Sequence, residues 1–156
     1  MIIDKEGMMK SNIKETVTFD DLLLVPRYSE ILSRKTIDLS SELDMKRKFD
    51  LPIVSSPMDT VTGATMASAM NKAGGFGVIH RYNSIEEQCD KIKRTSGTPA
   101  AAIGVTGDYL ERAMSLVKAG CDMLCVDVAH GHHALMRHAL KILRNTIGYD
   151  IHIMAG

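Results

Sequence analysis

No run of apolar residues in this sequence approaches the roughly 20 that a membrane-spanning helix needs. The opening, Met1-Ile-Ile-Asp-Lys-Glu, lacks the basic start and apolar stretch of a secretory signal, so the cytoplasm is the expected compartment and no membrane partner is expected. An excess of charge of one sign is missing too. The 19 Lys and Arg balance 19 Asp and Glu to a formal net charge of +0, so no global field draws the chain to nucleic acid. Cysteine is scarce. Cys89, Cys121 and Cys125 are odd in number and show neither CxxC spacing nor a disulfide framework, which predicts reduced thiols packed as small hydrophobes rather than nucleophiles.

What is present is enough apolar material, 45% of 156 residues, for one globular core. The clearest unit runs from Leu51 to His80. Leu51-Pro-Ile-Val-Ser55 reads as a short strand that ends in the loop chemistry of Ser55-Ser-Pro-Met-Asp-Thr60. Thr62 is a candidate N-cap for a helix carrying Ala64, Met66, Ala67 and Met70, and Gly74-Gly75 supplies its stop. Phe76 to His80 is then short and apolar, as in a strand buried on both faces of a parallel sheet.

The pattern repeats to the end of the chain. Ser84 and Glu87 have capping-box spacing before a helix over Ile85 to Arg94, with Ile85, Cys89 and Ile92 on one stripe and Glu86, Glu87 and Asp90 on the wet face. Ala100 to Val105 is the next strand, Asp108 to Ala119 the next helix, and Met123 to Asp127 a strand with an acid at its carboxyl end. Ala134 to Ile147 and Ile151 to Met154 complete another pair. Upstream, residues 1–17 read as a polar arm, Leu22 to Val25 as an apolar segment packed across the domain, and Ile31 to Lys48 as a hairpin or edge strands.

Strict β/α alternation implies α/β architecture with a parallel sheet, either doubly wound or a (β/α)8 barrel. The first strand-to-helix turn has no GxGxxG, so a dinucleotide fingerprint is missing and the barrel is preferred. About five strands precede Gly156, which makes this a partial (β/α)8 TIM barrel occupying residues 18–156. Ligands of such folds gather where strands end. That rule nominates Ser55 to Thr60, His80-Arg81, Thr106-Gly107 and Asp127 to His133.

Several of these stretches are long enough to carry a resemblance. Thr18-Phe-Asp-Asp-Leu-Leu-Leu-Val-Pro26, Val54-Ser-Ser-Pro-Met-Asp-Thr-Val-Thr62, Gly74-Gly-Phe-Gly-Val-Ile-His80, Gly104-Val-Thr-Gly107 and Asp127-Val-Ala-His-Gly-His132 resemble, in order, the family of IMP dehydrogenase and GMP reductase. The resemblance implies a barrel that binds a purine mononucleotide beside NAD and, in the dehydrogenase, converts IMP to xanthosine monophosphate through a covalent cysteine adduct. It implies that Ser56 and Met58 border the nucleotide, that Asp127 bonds the nicotinamide ribose, and that Ala129 and His130 line the nicotinamide side. His80 joins Ser56 and Met58 as a substrate-binding candidate, with Arg81 beside it as either a phosphate contact or a solvated pair.

Blander readings stand next to these. Met58 fills a core, Asp127 caps the following helix, and His130, His132 and His133 are loop or capping residues rather than a metal cluster. The resemblance also implies segments not seen here. They are the Gly-rich loop with the nucleophile, the Arg-Thr flap and the potassium or similar monovalent-cation site, all of which follow later strands in the family. A regulatory CBS module is missing as well, since Arg94 reaches Ala100 through only Thr95 to Pro99. By Ser55-Ser-Pro-Met58 the dehydrogenase is favoured over a GMP reductase, which would use NADPH, and the whole enzyme is expected to be a homotetramer. A segment with no catalytic residue of its own is expected to be inactive alone. A non-catalytic half-barrel that assembles with a partner is the other reading.

Overall fold

The computed structural model describes residues 17–156, and the chain divides into two compact units between Ile37 and Asp38. The polar arm expected at residues 1–17 lies, up to residue 16, outside the described residues. In the first unit the described segments are held by local hydrogen bonds. Phe19–Asp21 forms a 3-10 turn in which the Asp21 carboxylate accepts from the Thr18 N–H at 3.0 Å, and a second turn follows at Arg34–Thr36.

In the second unit, β1 (Ser41–Glu42) and β2 (Lys48–Phe49) pair antiparallel, so the hairpin or edge strands expected over Ile31 to Lys48 are narrowed to this short pair, the earlier part holding the Arg34–Thr36 turn instead. There follow β3 (Val54–Ser55), α1 (Ala64–Lys72), β4 (Phe76–Ile79), α2 (Ile85–Arg94), β5 (Ala100–Ile103), α3 (Tyr109–Lys118), β6 (Met123–Val126), α4 (Ala134–Ile147) and β7 (His152–Ala155). The five strands from β3 to β7 are all parallel and lie in chain order. A doubly wound sheet reverses its order at a switch point; this one does not.

Side-chain alternation shows on which face the helices lie. Ile79, Ala101, Ile103, Leu124 and Val126 pack with Ala67, Ile92, Ala113, Leu116, Met136 and Leu143, so all four helices cover one face. Phe76, Val78, Ala100, Ala102, Met123 and Cys125 form a separate cluster on the other face with Leu43, Phe49 and Met154. A curled sheet with every helix outside is the opening part of a (β/α)8 barrel.

The hairpin closes the end where the strands begin. Its Phe49 ring meets Phe76 at 4.7 Å between centroids. Arg47 reaches from the same turn to both Asp122 carboxylate oxygens at 2.8 and 2.6 Å, to Asp44 at 2.7 Å and to the carbonyls of Asp122 and Asp150. His152 joins through Asp44 at 2.8 Å. Burial alone would raise the Asp44 carboxyl, but the Lys46 backbone N–H and Arg47 hold it well below the usual carboxylate range. The opposite end of the sheet is free of this plug.

Candidate functional site at the carboxyl ends of the strands

At the free rim the β3-to-α1 loop folds back on itself. The Met58 N–H donates to the Ser56 carbonyl at 2.8 Å, and the Val61 and Thr62 N–H groups both donate to the Met58 carbonyl at 3.0 Å. Thr62 is not the helix cap; Gly63 holds that place. The Thr62 side chain is fully buried, and its hydroxyl bonds the Ser56 carbonyl at 2.6 Å and the Ser55 hydroxyl at 2.9 Å. Its own carbonyl accepts from the His80 N–H at 3.2 Å, which ties the loop to the end of β4. A threonine that reads as a cap by position instead pins the loop, because both its hydroxyl and its backbone find partners there.

That loop forms one wall of a cavity of about 490 Å³ lined by Ser56, Pro57, Met58, Asp59, Tyr82 and Asp127. Ser56 and Met58 from one motif and Asp127 from another therefore line one space. Met58 is exposed rather than core filler. Asp127 does not cap α4 either, since the His133 Nδ1 accepts from the Leu135 N–H at that helix start. Its carboxylate lies 3.8 Å from the Arg81 Nε, and Arg81 in turn sits over the Tyr82 ring at 5.4 Å. Asp59 lay inside the nominated stretch Ser55 to Thr60 without being given a role, and Tyr82 was not nominated, its only signal being adjacency to His80-Arg81.

His80 is placed differently. It does not line that cavity, and its Nε2 lies 3.0 Å from Lys91 Nζ on α2. Burial, and then the Lys91 charge, hold the imidazole below its ordinary pKa, against the pull of Asp59. Ala129 and His130 are exposed in the loop between β6 and α4, and His130 meets His132 edge to face at 6.4 Å. Among the described residues no three His, Cys, Asp or Glu side chains come together as a metal site. Burial pushes the Cys121 thiol up to about 12 and the Cys125 thiol up to about 11, and raises Cys89 as well, so none is a poised thiolate.

A larger hollow of about 700 Å³ runs along α4, lined by Gly131, His133, Met136, Leu140 and Arg144 among others. It lies on the helical layer, where sequential winding would place a further helix, and its polar lining consists of histidine and basic side chains.

The comparison with known proteins decides what the rim belongs to. The profile of the IMP dehydrogenase / GMP reductase domain matches residues 16–156. The chain belongs to the IMP dehydrogenase / GMP reductase family. An inosine-5'-monophosphate dehydrogenase of Cryptosporidium parvum is 30% identical over 190 aligned positions, which take in 92% of this chain and 47% of that protein. The one from Nitrosopumilus maritimus is 51% identical over 85 residues, 53% of this chain and 18% of its own length. The crystal structure of inosine 5' monophosphate dehydrogenase from Legionella pneumophila superposes with a TM-score of 0.84 at 40% identity, covering 91% of this chain and 44% of that one. The chain thus spans about half the length, or less, of the family members it matches.

Proposed function

We propose that this chain forms the part of an IMP dehydrogenase that seats the purine mononucleotide against the nicotinamide of NAD. The observation that carries the reading is the convergence of Ser56, Met58 and Asp127 on one cavity at the carboxyl ends of β3 and β6. A serine hydroxyl and a flexible thioether suit the edge and face of a base. A carboxylate suits a ribose, because its two oxygens accept from vicinal hydroxyls. The donor set fits NAD on that count, and the cofactor supplies the hydride acceptor when bound. In this reading Asp127 holds the nicotinamide ribose, Ala129 and His130 flank it from their exposed loop, and Arg81 keeps the Asp127 carboxylate turned toward the cavity. The raised thiols of the buried Cys121 and Cys125 and of the half-buried Cys89 support a nucleophile drawn from elsewhere in the enzyme.

The test uses the complete enzyme that contains this segment. It should turn over IMP with NAD and not GMP with NADPH. Asp127→Ala should raise KM for NAD by about 10- to 100-fold, the equivalent of one lost charge-assisted hydrogen bond. Turnover of GMP with NADPH alone would assign the reductase instead. An unchanged KM for NAD in the Asp127 variant would remove the ribose role.

A further inference from the structure

The charges around the rim cavity do not balance. Its lining of Ser56, Pro57, Met58, Asp59, Tyr82 and Asp127 contains two acids and no base. Asp127 has a counter-charge beside the cavity, the Arg81 Nε at 3.8 Å. Lys91, on α2, is engaged elsewhere, facing the His80 Nε2 at 3.0 Å. Asp59 is exposed and enters no ion pair among the described residues, so one negative charge is left over in the cavity wall.

Such a wall selects by charge. A phosphate group meets repulsion there, which keeps the phosphates of a nucleotide or dinucleotide outside the cavity. A flat cation meets attraction from the carboxylate, and aromatic and thioether surface completes its surroundings, since Tyr82 is 62% exposed and Met58 53%. The Tyr82 ring already carries one cation, the Arg81 guanidinium at 5.4 Å from its centroid. In the seat described under the proposed function, the flat group next to the ribose at Asp127 is the nicotinamide ring. That ring is a pyridinium with one positive charge in NAD and a neutral dihydropyridine in NADH, while the sugars, diphosphate and adenine are the same in both.

We propose that Asp59 is a specificity-determining residue for the oxidation state of the cofactor: its unpaired carboxylate favours the cationic nicotinamide ring of NAD over the neutral ring of NADH, with Tyr82 as the aromatic wall. The inference rests on the nicotinamide seat of the proposed function and adds to it a way of telling substrate cofactor from product. Asp127 holds a sugar that both forms carry and cannot make that distinction. Asp59 loses its attraction once the ring is neutral, so the reduced cofactor is held less firmly than the oxidised one.

Equilibrium dialysis of NAD and of NADH against the complete enzyme tests this without turnover. Xanthosine monophosphate is present throughout, because its carbon 2 has no hydride to give. Asp59→Asn should weaken NAD by about 2- to 5-fold, the size of one partly exposed charge pair, and leave NADH unchanged. Asp59→Glu, which keeps the charge, should keep the wild-type ratio of the two affinities. Tyr82→Leu should lower that ratio and Tyr82→Phe should preserve it. Raising salt from about 0.05 to 0.5 M should compress the ratio in wild type and not in Asp59→Asn, since the diphosphate common to both forms cancels. Equal losses of NAD and NADH in Asp59→Asn, a loss of neither, or the same change in Asp59→Glu would each overturn the proposal. Asp127→Ala separates it from the reading beneath it. Equal weakening of both forms there supports the ribose role, and weakening of neither overturns that role while the Asp59 comparison, which reads the ring and not the sugar, still decides the charge selection.

Discussion

Gln88 is a polar side chain with no exposed surface, on the face of α2 that the sequence gives to Ile85, Cys89 and Ile92. Its amide nitrogen donates to the Ala102 carbonyl at 2.9 Å and the His80 carbonyl at 3.1 Å, and its oxygen accepts from Arg112 at 2.9 Å. Arg112 is itself buried and continues to Asp108 at 2.7 Å and to the Asn83 carbonyl at 3.1 Å. Four elements are thus joined through one amide. Gln88→Ala should cost about 3 kcal/mol in urea unfolding, since it strands a buried guanidinium donor and two carbonyls at once. His80 gives a second prediction at this scale. Its pKa in the fold is lowered from 6.5, so below that value the unfolded chain binds the proton first, and stability should fall as pH falls through the window beneath 6.5. The slope should flatten in His80→Asn relative to wild type, with Lys91 and Asp59 the charges that set it. An unchanged slope would mean that the imidazole takes up its proton equally in the folded and unfolded chains. Periodicity could not reveal Gln88 or Arg112, because a buried polar residue looks like a wet-face residue until its partners are known. That Ser56, Met58 and Asp127 would lie together was readable because strand ends in this architecture share one rim, while the choice of these three came from the resemblance.

At the scale of elements, the helix and strand order was legible throughout the second unit, since each repeat carries its own punctuation. Ser84 and Glu87 form the expected capping box, and positive φ at Gly74, Gly120 and Gly148 stops three helices where a side chain would be strained. The first helix start was not legible. Thr62 and Gly63 both fit a cap, and the choice was made by the buried loop bonds of Thr62, which are tertiary. The same neighbourhood makes Gly77 a contact point between β4 and α1. A methyl there would lie 2.6 Å from the Ser55 hydroxyl and 3.0 Å from the Ala67 Cα. Gly77→Ala should therefore destabilise by about 1 to 3 kcal/mol and disturb the Thr62–Ser55 bond that shapes the rim loop. Thermal unfolding checks the first effect, and the amide shifts of Ser56 and Met58 check the second. A neutral substitution would show that α1 slides freely on the sheet.

The whole molecule presents a parallel sheet with both edges open among the described residues. β7 pairs only with β6, and β3 pairs only with β4. Ile53 and Val54 at the β3 edge are 55% and 45% exposed. A (β/α)8 barrel removes such edges by closing eight strands on one another, which five strands cannot do. Unpaired backbone donors and acceptors with apolar neighbours recruit a further strand, and the hollow along α4 leaves room for the helix that would come with it. The 156-residue chain by itself should therefore associate as concentration rises from micromolar to millimolar, read as a growing sedimentation coefficient, and should bind an apolar dye. Supplying the downstream half of a family barrel as a separate chain should compete with that association and yield a defined 1:1 complex, because its strands complete both edges together. A monomer that sediments unchanged across the range, and ignores the added half, would show that the plug of Arg47, Asp44 and Asp122 and the curl of the sheet suffice to stabilise an open barrel.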